Sequence, residues 1–409
     1  MLDNLPDTHS SLVINFSSAT DSGTTQEIVE SAMEKKSKDK MGPAGGKKLV
    51  LFIDDFNMPV KTNAESPFQP PLELLRLWMD YGGWYDRIKC SWRYILDTQI
   101  VSAMAPPTGG REIISNRTQS RFSLLYTAEP ADAQVIRIFE SILNPKLSEF
   151  DNEIKPLGAV IAKATLAVYK DVALDFLPSP TKSHYLFNLR DVAKVVQGVM
   201  QAQQQCVDTK DGMLRLWCHE CMRAFSDRFL NDSTNDEKRF VALLSKTLKD
   251  SFDCTWDGLM DETSDSSQGP IFISFLTESS EIIPYEENTD LKKLKNFLDE
   301  KLEDYNMEPK LIPMNLVLFE DALRHICRIH RILKQERGNM MLVGVGGSGR
   351  QSLTRLSCYV ADITCFTIEI TKQYRSIEFR EDLKQVSERN PNPTLTQTLT
   401  KPNPLLTHS

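Results

Sequence analysis

Residues 344–352 read Gly-Val-Gly-Gly-Ser-Gly-Arg-Gln-Ser, between the apolar stretch Met340–Val343 and the helix-like stretch Leu353–Val360. A glycine-rich turn between a strand and a helix is typical of a loop that binds the phosphates of a nucleotide. Its backbone N–H groups converge on the anion, and the helix N-terminus adds a partial positive charge. The stretch therefore predicts a strand, a phosphate-binding loop and a helix in an α/β fold.

This loop departs from the common pattern G-x-x-x-x-G-K-[ST] at two positions. Gly344 and Gly349 match, whereas Arg350 replaces the lysine and Gln351 replaces the hydroxyl residue. Arg350 keeps the positive charge, and Ser352 carries a hydroxyl one residue further along. We therefore expect a loop that holds a nucleotide but catalyses poorly. The candidate nucleotide-binding residues are Gly344, Gly346, Gly347, Ser348, Gly349, Arg350, Gln351 and Ser352.

A second informative stretch, Leu49-Val-Leu-Phe-Ile-Asp54-Asp55, lies far upstream. An apolar run that ends in two carboxylates indicates a buried strand. Hydrolysis of a phosphoanhydride needs Mg²⁺ across the phosphates and a water held in line. Asp54 is placed to hold the metal and Asp55 to orient or deprotonate the water, although a strand end with two solvated aspartates is the alternative. Because the acids precede the loop, we expect parts of two nucleotide sites.

Composition excludes several classes of protein. The chain has 409 residues, enough for two or three domains, with 41% apolar and 25% charged residues. A net charge of −8 argues against general nucleic-acid binding. No apolar run approaches the about 20 residues that span a bilayer, and no secretory signal begins the sequence. The eight cysteines lack a disulfide framework, so we expect an intracellular soluble protein.

The sequence Cys218-His-Glu-Cys221 has the spacing of a redox pair or of half a zinc site. However, no second pair with such spacing lies nearby. Apolar residues recur at helical spacing through Met213–Leu230. We therefore predict a buried helix in which these cysteines pack as small hydrophobic residues.

Strands and helices alternate up to Glu129, which favours a mainly parallel sheet covered by helices. Gly82-Gly83 is expected to end the second helix. The predicted strands are 11–16, 49–53, 98–104 and 122–127, the predicted helices are 24–33 and 72–81, and a loop is predicted at 35–48.

Beyond Glu129 the pattern changes to successive helices, which is typical of a helical lid after an α/β core. A later helix leads into the phosphate loop. The predicted helices are 131–143, 157–176, 189–202, 213–230 and one through Ala322 and Leu333, with a loop at 255–290 and a disordered tail at 390–409.

Several long stretches, in the same order, resemble axonemal dynein heavy chains. They are Lys48–Pro59, Gln69–Asp86, Ser102–Arg111, His184–Val192 and Gly344–Leu356. In dyneins such a sequence runs from the middle of the third AAA+ module into the start of the fourth. The resemblance therefore implies an α/β AAA+ P-loop core with a mainly parallel sheet, an all-α lid, a helical linker and the start of a second AAA+ core.

The resemblance also implies roles for the residues that match family motifs. Asp54 and Asp55 look like the Walker B acids of the third module, and Asp54 would bind the metal. The residue before Pro106-Pro107 is the position of a polar sensor. Here it is Ala105, whose side chain cannot hydrogen-bond, which counts against hydrolysis at this module.

Three arginines match positions that contact nucleotide phosphates in the family. Arg117 looks like the arginine finger that reaches the neighbouring module's nucleotide, and Arg121 is the alternative. Arg190 looks like the second sensor, carried by the helical lid. A guanidinium suits these roles because it stays charged and offers forked donors.

The resemblance implies five segments. They are a partial AAA+ α/β core without its Walker A loop (1–128), a helical lid (129–250), an acidic linker with helices (251–315), the start of the next module with its phosphate loop (316–387) and a disordered tail (388–409).

The implied family function is ATP-driven microtubule motility in cilia. The implied cofactors are ATP or ADP and Mg²⁺. The implied partners are other dynein modules, dynein intermediate and light chains, and microtubules through a stalk that the sequence lacks. The implied location is the cytoplasm, the cytoskeleton and the ciliary axoneme. Because both nucleotide sites are incomplete, we expect the chain to be a truncated product and not an autonomous motor. The alternative is a non-enzymatic interaction or regulatory fragment built on the lid.

Overall fold

The computed structural model of the chain describes residues 2–63, 65–107, 110–230, 234–260, 269–277, 284–336, 338–371 and 374–389. These residues form two compact units, residues 1–129 and residues 130–409. Among the described helices, none combines the length and apolar character that a membrane crossing requires.

The first unit contains two sheets and three helices. The strands are β1 (His9–Asn15), β2 (Met33–Lys35), β3 (Lys40–Pro43), β4 (Lys48–Asp54), β5 (Gly83–Tyr85), β6 (Trp92–Ile95) and β7 (Thr98–Ser102). The helices are α1 (Ser22–Ser31), α2 (Pro70–Tyr81) and α3 (Asn116–Gln119).

Strand β4 is the centre of a parallel sheet with the order β1-β4-β7. Its residues Leu49, Leu51 and Ile53 are at most 2% exposed, because alternate side chains point to the same face of the sheet. Both neighbouring strands were predicted, and the predicted parallel α/β core is confirmed. Helix α2 also ends as predicted, with Gly82 in the left-handed conformation at φ 75°.

A second, mixed sheet with the order β2-β3-β6-β5 lies in the same unit. It joins the first core through Trp84, which is fully buried and lies edge-on to Trp78 of α2 with ring centroids 5.0 Å apart. Gly83 must be glycine, because a Cβ there would come within 2.0 Å of the Arg93 carbonyl oxygen. The sequence pattern predicted a loop at 35–48 and gave no sign of β3, whose Gly42-Pro43 ending is atypical of a strand.

The second unit is mainly helical. Its helices are α4 (Asp132–Leu147), α5 (Leu157–Asp175), α6 (Leu189–Val199), α7 (Lys210–Phe225), α8 (Asp236–Phe252), α9 (Trp256–Leu259), α10 (Leu291–Met307), α11 (Glu320–Lys334), α12 (Arg350–Val360) and α13 (Ser376–Arg389). A two-residue pair, β8 (Phe272–Ile273) with β9 (Glu286–Glu287), lies between α9 and α10.

Helix α7 lies at the centre of the larger core of this unit. Cys218 and Cys221 are fully buried on it, which confirms the prediction of a buried helix with packed cysteines. Trp217 is also fully buried, and its indole N–H donates to the Thr165 hydroxyl of α5 at 2.9 Å. A buried indole usually needs such a partner, and this bond fixes how α5 and α7 face each other.

Glu220, also on α7, is fully buried and lies where this core meets the core of α10–α12. Its carboxylate pairs with Arg331 of α11 and accepts a hydrogen bond from the Tyr285 hydroxyl at 2.6 Å. Burial lowers the pKa of Arg331, but the attraction of Glu220 outweighs it and leaves that pKa above its ordinary value. A Cβ on Gly198 of α6 would come within 1.8 Å of the same carboxylate. The ion pair therefore positions α7 against α11, and glycine leaves room for it.

One predicted strand of the first unit is not formed. Residues 122–127 were predicted as a strand, but they form no strand, and Leu125 and Tyr126 are 90% and 89% exposed. An apolar run forms a strand only where a neighbour can take up its backbone hydrogen bonds. The predicted tail, residues 390–409, lies outside the described part of the chain, and α13 ends at Arg389 just before it.

Glu220→Ala should destabilise the chain strongly, because it leaves Arg331 buried without its partner. We expect the free energy of unfolding, measured by urea denaturation, to fall by about 3–5 kcal/mol. Glu300→Ala removes an exposed carboxylate from α10 and serves as the control, with an expected change within about 0.5 kcal/mol. Equal, small losses for the two variants would contradict this role of Glu220.

Candidate functional site

The two aspartates lie at the end of the central strand of the first unit. Asp54 is the last residue of β4 and is exposed, and Asp55 follows with a left-handed backbone at φ 50°. The Asp55 N–H donates to Asp54 Oδ1 at 2.9 Å. Parallel strands end at a common edge, and ligands of α/β proteins bind at that carboxyl edge. Both acids therefore lie where a nucleotide site of this fold is expected.

The loop after β4 is hydrogen-bonded to the loop after β7. The Phe56 N–H donates to the Ala103 carbonyl at 3.0 Å, and the Asn57 side-chain N–H donates to the Ala105 carbonyl at 2.8 Å. The backbone of Ala105 thus takes part in the contact between the loops. Its methyl side chain, however, cannot form a hydrogen bond with a phosphate. In the described part of the chain, Asn57 Oδ1 and Ser102 Oγ are buried without a hydrogen-bond partner. Such atoms at the carboxyl edge fit a polar ligand.

Arg111 contacts Asp55, a pairing that the sequence analysis missed. Its Nη2 lies 3.1 Å from Asp55 Oδ1, and the two side chains are 30% and 43% exposed. Arg111 lies within the dynein-like stretch 102–111, but the spacing alone does not indicate which acid it faces. The contact spans two loops, so only the folded chain reveals it. The guanidinium compensates the charge of Asp55 and restricts the direction of its carboxylate.

Arg117 and Arg121, the two candidates for the arginine finger, both pair with acids of α2. Arg117 Nη2 lies 3.4 Å from Glu73 Oε1, and Arg121 Nε lies 2.6 Å from Asp80 Oδ1. Arg76 bridges the same two acids at 2.8 and 2.7 Å. The side chain of Arg117 is 69% exposed and that of Arg121 is 49% exposed. Arg117 is therefore the more accessible of the two and has the longer contact.

Arg190 lies in the first turn of α6, and its side chain is exposed. A capping box positions this turn. The Arg190 N–H donates to Asn188 Oδ1 at 2.9 Å, and the Asn188 N–H donates to Asp191 Oδ2 at 3.1 Å. Asp191 is itself fixed by Arg228, whose Nη2 lies 2.8 Å from Asp191 Oδ1. The helix start is thus rigid while the guanidinium of Arg190 is presented to solvent.

The glycine-rich loop of the second unit leads directly into α12. Gly347 and Gly349 have positive φ values of 81° and 74°, which glycine adopts without steric cost. A Cβ on Gly346 or Gly347 would meet no heavy atom within 4 Å, so one side of the loop is open. Gly349 caps α12 and has no side chain that could accept from the first N–H groups. The free N–H groups of this helix start fit an anion.

The polar residues of the predicted site lie on the first turn of α12. Arg350 and Ser352 are half-buried, and Gln351 is exposed. The Arg350 carbonyl accepts from the Thr354 hydroxyl at 2.7 Å, and the Gly349 carbonyl accepts from the Leu353 N–H at 2.8 Å. These bonds begin the helix directly after the loop, as the sequence predicted.

The strand that was predicted before the loop is not formed. Residues 340–343 form no strand, and Met341 and Val343 are 84% and 86% exposed. A parallel strand requires a neighbour on at least one side, and this segment pairs with none of the described residues. In the described residues, the expected start of a second AAA+ core is thus present as a loop and a helix, without a sheet.

The structure assigns the predicted residues to different units. Asp54, Asp55, Arg117 and Arg121 belong to the first unit. Arg190 and the glycine-rich loop belong to the second. Within the first unit the Asp55 N–H joins the two aspartates by donating to the Asp54 carboxylate, and Arg111 contacts Asp55.

Three protein-family descriptions match the chain. Residues 1–130 match "P-loop containing dynein motor region", residues 160–263 match "AAA+ lid domain", and residues 314–397 match "P-loop containing dynein motor region D4". The order of core, lid and next core agrees with the order of elements along the chain.

The curated relatives of the chain are also named as dynein heavy chains. The chain is 50% identical over 94% of its length to the "Dynein-1-beta heavy chain, flagellar inner arm I1 complex" of Chlamydomonas reinhardtii. It is 48% identical over 94% of its length to human "Dynein axonemal heavy chain 2" and 41% identical over 91% to human "Dynein axonemal heavy chain 6". The chain spans only 8–9% of the length of these relatives. It belongs to the dynein heavy-chain family and corresponds to a segment of the AAA+ motor region.

Proposed function

We propose that the chain is the part of an axonemal dynein motor ring that runs from the third AAA+ module into the fourth. The whole protein would couple ATP binding and hydrolysis to movement along microtubules in the cilium. One observation carries the proposal: the acids lie at the carboxyl edge of one unit, and the glycine-rich loop leads into a helix of the other. The family matches have the same order.

At the first site, Asp54 would hold the metal through water, and Asp55 would orient the attacking water. Mg²⁺, when bound, would neutralise charge on the phosphates as the terminal phosphoryl group is transferred. The exposed carboxylate of Asp54 and the unpaired Asn57 Oδ1 support this fit. Arg111 would act as a positioning residue, because it restrains Asp55. Ala105 supplies no side-chain hydrogen bond to the water, so turnover at this module would be slow.

At the second site, the first-turn N–H groups of α12 would bind the phosphates. Gly344, Gly346, Gly347, Ser348 and Gly349 would let the backbone approach them. Arg350 would add positive charge, with a planar head in place of the lysine ammonium. Gln351 offers no hydroxyl to a metal, so Ser352 would be the nearest substitute. We therefore infer a site that binds nucleotide and turns it over poorly.

The remaining family assignments are also proposals for this chain. The proposed segments are residues 1–128, 129–250, 251–315 and 316–387. Arg117 would serve the neighbouring module's nucleotide, and Arg190 would close on a γ-phosphate from the lid. Partners would be the other ring modules, intermediate and light chains, and microtubules through a stalk elsewhere in the heavy chain. The location would be the cytoskeleton of the ciliary axoneme.

A non-enzymatic role built on the lid is the second candidate. The core around α4–α9 is extensive, with Trp217, Phe225 and Phe240 all fully buried. Such a core supports a lid that folds by itself. Limited proteolysis distinguishes the two candidates, since a resistant fragment of about residues 130–250 would favour an autonomous lid. Rapid digestion of the whole chain would favour a ring segment that needs its neighbours.

Gly347→Val should weaken nucleotide binding at least tenfold. The positive φ of 81° disfavours a β-branched residue, and the side chain would occupy the open face of the loop. Gly46→Val is the matched control, because Gly46 has φ 68° and open space but lies in the first unit. Anisotropy titration with a fluorescent ADP analogue measures both. Equal affinities for the two variants would contradict the assignment of the loop.

Arg117→Ala should distinguish the finger from its alternative in the intact heavy chain. We expect ATP turnover to fall roughly a hundredfold or more, as for other arginine fingers, and Arg121→Ala to have a much smaller effect. Both arginines make exposed ion pairs, so either variant should change the stability of the chain by less than about 1 kcal/mol. A larger loss of turnover for Arg121→Ala would assign the role to Arg121.

A further inference from the structure

A cleft of about 740 Å³ lies in the second unit, away from the glycine-rich loop. Its walls come from α10 and the loop after it, from the last turns of α12 and from the segment that follows α12. Two cysteines, Cys358 and Cys365, line it together. The predicted nucleotide-binding residues lie at the other end of α12, so this cleft is a separate feature of the unit.

The turn at the end of α12 brings the two cysteines together. Asp362 has a left-handed backbone at φ 55°, and the Ile363 N–H donates to the Cys358 carbonyl at 2.9 Å. This is the hydrogen bond of a Schellman turn, which reverses the chain at a helix end. Cys365 follows two residues later, lines the same cleft as Cys358 and interacts with it through its thiol.

The two thiols differ in environment. Cys358 is 5% exposed, whereas Cys365 is exposed to the cleft. The hydrogen bond from Cys358, together with Thr367 and the charge of Arg355, lowers the pKa of Cys365 to about 6. The same hydrogen bond and burial raise the pKa of Cys358. Cys365 thus ionises at a lower pH than its partner Cys358.

The charges of the cleft favour this arrangement. Lys301, Lys310 and Arg355 line it, against Asp362 and Glu369. Reactive cysteines lie in electropositive, partly exposed places, and inert ones are buried in apolar surroundings. Cys327 of α11 is the contrasting case, because burial raises its pKa to about 12.

We propose that Cys358 and Cys365 form a redox-active dithiol site that hydrogen peroxide oxidises to an intrachain disulfide. The Cys365 thiolate attacks a peroxide oxygen, so that an S–O bond forms, the O–O bond breaks and the leaving hydroxide takes up a proton as water. The Cys358 sulfur then attacks the sulfenic sulfur of Cys365. The S–S bond forms, the S–O bond breaks, and hydroxide leaves with the Cys358 proton as a second water.

The electrons balance in these two steps. Two thiols lose two electrons in total, and one peroxide is reduced to two waters. The disulfide would tie the end of α12 to the segment after it. Neither step needs nucleotide, so this chemistry is independent of the proposed ATPase role.

Alkylation rates test the thiolate. Cys365 should react with iodoacetamide about tenfold faster than an ordinary exposed cysteine at pH 6 and about twofold faster at pH 7. Its larger thiolate fraction outweighs its weaker intrinsic nucleophilicity, most clearly at the lower pH. Cys90 is the control, since it is exposed in the first unit. Peptide mass spectrometry of the full chain follows both residues, and equal rates at pH 6 would overturn the proposal.

Disulfide mapping tests the bond itself. After treatment of the full chain with hydrogen peroxide, we expect a Cys358–Cys365 linked peptide that has lost two hydrogen atoms. Cys358→Ser should leave a sulfenic acid on Cys365 that dimedone traps, and Cys90→Ser should leave the disulfide unchanged. If Cys358→Ser does not fold, the map of the wild-type chain decides alone. Absence of the link, or links between separate molecules only, would overturn the proposal.

Discussion

The position of β4 between two parallel neighbours is the constraint on which the first unit depends. A central strand must pair its backbone groups on both sides, so β1 and β7 are obligatory partners. Its buried side chains fix which face meets the helices, since a slip of one residue would turn Leu51 and Ile53 outward. With the register fixed, Asp54 and Asp55 must lie at the carboxyl edge. The chemistry of the site is thus a consequence of where a buried strand ends.

A buried charge has a comparable effect in the second unit. Glu220 would be costly inside a core without Arg331 and the Tyr285 hydroxyl, so α7 and α11 pack where those groups meet. Helix α7 lies in the stretch that matches the AAA+ lid domain, and α11 lies in the stretch that matches the dynein motor region D4. The ion pair therefore connects these two stretches of the chain. Apolar packing alone would specify this contact less sharply, because it is not directional.

Sequence patterns predicted a helix or strand well where the spacing of its own apolar residues shows which face is buried. The alternation in β4 and the helical spacing of α7 indicated both elements before any neighbour was known. Residues 122–127 and 340–343 have similarly apolar sequences but form no strand. Whether such a segment becomes a strand depends on a neighbouring strand that accepts its backbone hydrogen bonds, and that neighbour is remote in sequence. Strand β3 shows the converse, because Gly42 and Pro43 pair with β2 despite their low strand propensity.

By itself, the sequence determined the family, the parallel α/β core, the lid helices and the glycine-rich loop. These follow from local periodicity, backbone freedom at glycine and long motif matches, all of which are properties of neighbouring residues. Only the tertiary structure decided that Arg111 contacts Asp55 and that Arg117 and Arg121 pair with acids of α2. It also decided that two cysteines line one cleft at the end of α12. Each of these contacts joins side chains through a turn or between elements. Their geometry depends on how the backbone packs, which residue spacing does not encode.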